Sequence, residues 1–547
     1  MPAPKSKSRG RVAAASADFA EDFAALSHTI AQQLQKTPDA IPELIEILLQ
    51  AESEPEAPRG KGKGAGKNAK RRRMSEEDVL MYAHLLVHAL EELRYGGDRS
   101  RKEVIAQAES LRQYLLEAGR RPGVNANMFL LVLQQFGAAK LDIGPELRGM
   151  AEHVLGNLAA EAPADAAAAA LEVAKELKEV AQALGGDPFD IHSKIFDFTQ
   201  TLPVDVRAMF AITVMAQAEA PALRDAGLGW LLDKAAEVRQ AVAQFLEKDA
   251  GASSGATLRR MIALRNWVPE ANRPALDRAI KASQKKVACA SWPSAKILKV
   301  YASGFDGSGA QSVFVVAAEG RERALAALLF KQGFGVRDAW VDHSCAPAEV
   351  DAKLEALSMQ MDLSPASLDY VAIAVRHFLD VNAQAGVMPS LGLLDVAEAT
   401  GLTNVNPERQ SVDALLSSLC AEIAPDRATP QAIEKALERS ASWAETEPMA
   451  WSWFEESDDV DALLRRGGLP KAKRKAALLA MPLQKRRRWW AELIAWTGFM
   501  SKHREGASGW EDYSLVAREL LGDRPLDEIG IMNKIAEASI ANCSVRG

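Results

Sequence analysis

Cysteine is scarce in this chain. Four occur in 547 residues, at Cys289, Cys345, Cys420 and Cys543, and no two form a CxxC pair. That spacing argues against a disulfide framework and against a structural zinc site, and it fits a reducing compartment. Aromatic residues are also few, at 6%. No apolar run approaches the roughly 18 residues of a membrane span. The N-terminal stretch begins with basic residues, but Asp18, Glu21 and Asp22 interrupt it. It therefore lacks the apolar core of a secretory signal. Together these absences predict a soluble cytoplasmic protein with no membrane partner.

What is present is ordinary for a globular chain: 48% hydrophobic and 25% charged residues. Alanine is abundant, which favours helices whose small side chains let neighbours approach closely. The alanine-rich style is that of a bacterial protein. At this length the chain accommodates several domains or one long helical array.

The net charge of -7 conceals a strong segregation. Residues 1–17 carry four cations (Lys5, Lys7, Arg9, Arg11). The run RGKGKGAGKNAKRRR, Arg59 to Arg73, carries eight, and residues 462–491 carry ten, with no acid in either. Setting these 22 charges aside leaves -29 on the rest of the chain. Such segregation bears on partners and association rather than on fold.

Hydrophobic periodicity organises the chain. Residues 1–17 read as a flexible basic tail and 18–52 as a short helical hairpin, with Phe19, Phe23, Leu26, Ile30 and Leu34 at helical spacing. Residues 53–74 lose apolar content and gain Gly and Pro, the composition of a disordered basic linker. From 75 to 292 helix-length segments follow one another through short connections, as in an array or irregular bundle of helical pairs. Ser75 and Ser100 stand at helix starts and Gly119 at a helix end. Residues 293–345 break this pattern. The segment 296–341 is expected to form a β-hairpin around GFDGSG, a helix, and a third strand. Residues 346–547 return to helix and hold seven of the eleven tryptophans between Trp443 and Trp510, expected to fill a core. The predicted fold class is mainly α, with one small α/β element.

Several motifs fail on their chemistry. A phosphate-binding loop needs GxxxxGK followed by Ser or Thr between a strand and a helix. Here Lys61 occupies the first Gly position, Asn68 follows Gly66-Lys67, and no strand precedes them. His84 and His88 sit one helical turn apart, but Leu85 replaces the Glu of a zinc protease and no third ligand is evident, although Glu91 and Glu92 stand within one turn. The pair is assigned a structural or surface role, and no metal or other cofactor is predicted. Asp306 and Glu319 suggest a metal-dependent nuclease core, a remote alternative. Arg321 stands there in place of a lysine, and a guanidinium is a poor proton acceptor. Asp342, His343 and Cys345 cluster in VDHSCAP, expected to be a loop after the third strand.

The C-terminal basic run carries more positional information. Two helices are expected to start after Pro470 and Pro482. Lys471, Lys473, Arg474 and Lys475 fall in the opening turns of the first, and Lys485, Arg486, Arg487 and Arg488 in those of the second. Cations there oppose the helix dipole, at about 0.3–1 kcal/mol each. An offsetting partner is required. It is either the acidic run FEESDDVD (Phe454 to Asp461) or an external polyanion, on whose bases Trp489 and Trp490 would stack. The sequence holds no convergent catalytic motif and predicts a non-enzymatic interaction or scaffold protein with a protein partner. A nucleic-acid-associated protein, holding phosphates through these eight side chains, is the alternative. The sequence gives no oligomeric state.

Overall fold

The computed structural model describes residues 40–53, 72–74, 76–95, 101–139, 141–161, 166–200, 202–217, 220–466, 470–504 and 508–545. The basic tail, the first helix of the expected N-terminal hairpin and most of the expected linker lie outside the described residues. The chain divides into two compact units, Met1–Leu223 and Arg224–Gly547.

The first unit is built on helices α1 (Ala40–Leu49), α2 (Glu76–Tyr95), α3 (Arg101–Gly119), α4 (Ala126–Ala138) and α5 (Gly144–Glu161). Three more follow: α6 (Ala166–Ala183), α7 (Pro188–Thr199) and α8 (Val204–Met215). Apolar residues at helical spacing meet in one core of Ile45, Leu48, Leu86, Leu90, Leu115 and Phe129. Asn125 caps α4 by accepting from the backbone N–H groups of Asn127 and Met128. Glu46 ties α1 to α3, accepting from the Tyr114 hydroxyl at 2.6 Å and from Arg121 at 2.8 Å. The Tyr114 hydrogen bond, with Arg121 adding to it, holds the Glu46 carboxyl below the usual range. Gly119 does end α3, but close packing is what requires it: a Cβ there would lie 2.5 Å from Met150 Sδ and 2.7 Å from a Phe129 ring carbon. The two ends of the expected linker are ordered. Strand β1 (Ala51–Ser53) pairs in parallel with β2 (Arg72–Met74).

The second unit holds the β element, a five-stranded antiparallel sheet in the order β6-β5-β4-β3-β7. Its strands are β3 (Lys296–Ser303), β4 (Ala310–Glu319), β5 (Glu322–Lys331), β6 (Gly335–Cys345) and β7 (Leu363–Pro365). The helix expected within this element is strand β5. The sequence ERALAALLFK is rich in helix formers and lacks polar alternation, because both faces of the sheet are covered. One face packs Phe314, Val316, Leu325 and Ala327 against Val350 and Leu354 of α12 (Pro347–Gln360). On the other, Phe330 stacks on Phe378 of α13 (Leu368–Ala385), with ring centroids 4.8 Å apart. Helix α14 (Gly392–Thr400) packs beside α13 on β6.

Strand β6 is an edge, and Asn382 of α13 satisfies it as a neighbouring strand would. Its side chain accepts from the Val336 N–H at 2.8 Å and donates to the carbonyls of Phe334 at 3.0 Å and Val336 at 3.3 Å.

Around the sheet stand α9 (Ala236–Lys248), α10 (Gly255–Arg265) and α11 (Arg273–Gln284) ahead of it in the chain. After it come α15 (Val412–Ala421), α16 (Pro430–Arg439), α17 (Lys471–Ala480), α18 (Arg487–Lys502), α19 (Trp510–Leu521) and α20 (Gly530–Val545). A buried ionic network joins α10 to α14. Glu398 accepts from Arg259 at 2.8 Å and from both Nε and Nη2 of Arg260, at 2.9 and 2.8 Å. Arg260 also donates to Asp225 at 2.7 Å. Burial pushes the Glu398 carboxyl up, but Arg260 and Arg259 outweigh it and hold the group below its ordinary range. The fold is mainly α with one small β element, and no helix among the described residues is long and apolar enough to cross a membrane.

Candidate functional site

The GFDGSG loop is a packing device. Asp306 is consumed locally: its carboxylate accepts from the Ser308 N–H at 2.9 Å, the Ala310 N–H at 2.8 Å and the Ser308 hydroxyl at 2.7 Å. The loop docks on the turn Pro448–Ser452. Gly307 N–H donates to Ser452 Oγ at 2.9 Å, and the Trp453 indole N–H donates to the Phe305 carbonyl at 2.8 Å. Asp306 precedes β4 and Glu319 ends it. Ten residues at about 3.3 Å each separate them by roughly 30 Å, so they cannot share a metal ion, and the nuclease core is ruled out.

The eight basic residues lie on α17, on a short helical turn (Pro482–Lys485) and at the start of α18. The helix expected from Pro482 is interrupted at Arg486, where φ is -94° and ψ 4°. Lys485 therefore ends a turn instead of opening a helix, while Arg487 and Arg488 begin α18 with no acid in its first turn.

Internal partners offset most of this charge. Lys485 meets Asp459 at 2.6 Å and Arg486 meets Glu455 at 3.3 Å, both acids from FEESDDVD. Lys475 pairs with Glu537 at 2.8 Å and Arg488 with Asp413 at 2.6 Å. Arg487 donates to three backbone carbonyls, Leu520 at 2.5 Å, Glu519 at 3.0 Å and Arg524 at 2.7 Å. Two of these belong to the C-terminal end of α19, where a cation is favourable, so one helix terminus compensates the other. Arg474 is half-buried and Lys473 exposed. The backbone of Lys471 opens α17, and its side chain lies outside the described residues.

The aromatic residues are mostly core. Trp453, Trp490 and Trp496 are fully buried. Trp489 is half-buried, and the Arg486 guanidinium sits 4.1 Å from its ring centroid, occupying one face. Glu455 is nearly buried beneath them, and desolvation raises its carboxyl although Arg486 pulls the other way.

Two clusters were not foreseen. VDHSCAP is the end of β6 rather than a loop. There His343 bridges two carboxylates, Glu319 at 3.1 Å on Nδ1 and Asp395 at 3.0 Å on Nε2. Ser344 beside it has φ of +53°, uncommon outside glycine, with its N–H donated to Glu319 at 2.6 Å. The second is His377, buried on α13, whose Nδ1 accepts the Gln410 N–H at 3.2 Å and whose Nε2 faces Glu492 at 3.9 Å. Burial lowers His377 to about 3 and raises Glu492. Neither cluster has a local sequence motif, because each is assembled from distant segments.

Hydrogen bonding to Asp395, with Glu319 adding to it, raises His343 from 6.5 to about 9. A raised folded-state value stabilises the protein fully below the unfolded value of about 6.5, and that contribution is lost as pH rises through about 9. Wild-type thermal stability should therefore fall between neutral pH and pH 9.5 by more than that of His343→Gln. Parallel curves for the two proteins would contradict the bridge.

Comparison with known proteins places these residues in context. Residues 413–544 match the family described as Y4lR C-terminal helical domain, and residues 203–287 match Y4lR second domain. The chain is similar to the uncharacterized protein y4lR of Sinorhizobium fredii (strain NBRC 101917 / NGR234). The two are 25% identical over 371 residues, covering 66% of this chain and 70% of that protein. No solved structure matches. The first of these matches begins at Asp413, the partner of Arg488, contains all eight basic residues and ends within α20.

Proposed function

We propose that this chain is a non-enzymatic interaction or scaffold protein of the bacterial cytoplasm, with a protein as its partner. The observation that carries this is Trp451. It is 67% exposed, yet it stands on a turn fixed on both sides. Met449 packs against Gly304 and Ser452 against Gly307, and the following Trp453 is buried and hydrogen-bonded. A large aromatic held in place before binding loses little freedom on contact, which is the property of an interface anchor. The internal pairing of Lys475, Lys485, Arg486 and Arg488 supports the same view, since their charge is already offset.

The test is affinity capture from the native host with wild type and Trp451→Ala, followed by mass spectrometry. Partners specific to wild type should disappear from the variant while its melting temperature is unchanged. Identical partner sets would sink the assignment to Trp451.

Association with nucleic acid is the second proposal. It is supported by the accessibility of Lys485 and Arg488, whose side chains are 61% and 64% exposed. Exposed ion pairs hold each other by only about 0–1 kcal/mol, so a phosphate could displace their carboxylate partners.

A further inference from the structure

In sequence, His84 and His88 have only Glu91 and Glu92 within a turn as further donors. The geometry of the two histidines on α2 reopens the question of a metal. The two Nε2 atoms are hydrogen-bonded at 2.9 Å, one ring donating and the other accepting, with the rings nearly perpendicular at 83°. Two imidazole nitrogens bound to one metal at about 2.0–2.1 Å lie roughly 2.9 Å apart when they subtend a right angle, and roughly 3.3 Å apart at a tetrahedral angle. The hydrogen bond thus already holds the pair at the spacing of a right-angled chelate, which suits the square-planar or tetragonal preference of Ni(II) and Cu(II); an entering ion would take the place of the shared proton, which moves to the other ring nitrogen or to solvent.

The surroundings fit as well. Glu91 lies 3.4 Å from Nδ1 of His88, on the side away from His84. A carboxylate on that side, at ion-pair distance, favours a proton on Nδ1 and turns Nε2 toward a metal, the usual support of a ligating histidine. Lys194 on α7 brings a further cation near His84. His88 and Glu91 are each 41% exposed, giving solvent ligands access. Among the described residues no group of three His, Cys, Asp or Glu side chains is arranged to hold a metal, so any ion here must complete its shell with water.

We propose that His84 and His88 form a two-imidazole site for a divalent transition ion of the Ni(II) or Cu(II) type, with Glu91 as its orienting carboxylate. Lys194 works against the bound cation. The probe is Ni(II), titrated into the full chain by calorimetry. Wild type should bind one equivalent that is lost in both His84→Gln and His88→Gln, with the far-UV circular dichroism of each variant unchanged. Glu91→Gln should weaken binding by about tenfold or more, and Lys194→Ala should strengthen it. Absence of saturable binding to wild type, or an isotherm that survives both histidine substitutions, would overturn the site.

Discussion

Gly307→Ala should destabilise the C-terminal unit by about 3 kcal/mol, the upper end of ordinary overpacking costs, or more. A Cβ at Gly307 would lie 1.7 Å from the Ser452 carbonyl oxygen and 2.6 Å from its carbon. Both are backbone atoms, so no side-chain rotation relieves the clash. The loop must lift off the turn Pro448–Ser452, and the hydrogen bonds from Gly307 to Ser452 and from Trp453 to Phe305 go with it. Gly320→Ala is the control. That glycine has φ of +64° but nothing within 4 Å of an added Cβ, so only backbone strain opposes the change. Its cost should be about 1 kcal/mol. Denaturant midpoints measure both, and equal losses would show that the loop is not docked as described.

Glu398→Gln should cost a similar amount, about 3–5 kcal/mol, by breaking a buried charge pair from one side. The side chains of Arg259, Arg260 and Glu398 are only 8%, 11% and 11% exposed. The amide keeps the shape of the carboxylate but removes its charge, leaving two desolvated guanidiniums of which Arg260 stays paired with Asp225. The ionic contribution is then read without a cavity term. Asp413→Asn is the contrast. Asp413 and Arg488 are 63% and 64% exposed, and that substitution should change stability by about 0–1 kcal/mol. A small effect at Glu398 would mean that water reaches the network.

Some of this was legible in the sequence. Helical periodicity and cap residues predicted a mainly α chain, and Gly-rich turns marked the β element. Strand β5 reads as a helix because ALAALLF has the composition of one, and its burial on both faces removes the alternation that identifies a strand. β7 is three residues long and pairs only with β3, too short to leave a pattern. The need for a partner at the basic helix starts was visible from the dipole, and FEESDDVD supplies acids for Lys485 and Arg486. The partners of Lys475, Arg487 and Arg488 were not visible. They come from α20, from the backbone at the end of α19, and from α15, and only the tertiary fold brings them together. The same holds for His343, whose two carboxylates come from β4 and α14.

The proposed role of the basic region rests on its cations serving the fold of the second unit rather than a polyanion. The direct measurement is a fluorescence-anisotropy titration of a labelled DNA duplex, at low and rising salt, with wild type and Lys485→Ala/Arg488→Ala. Both pairs are exposed, so the double variant should fold normally. Superimposable binding curves are predicted, with whatever affinity the other basic segments supply. A weaker variant whose salt dependence is shallower by about two phosphate contacts would contradict the account and identify these side chains as a nucleic-acid interface.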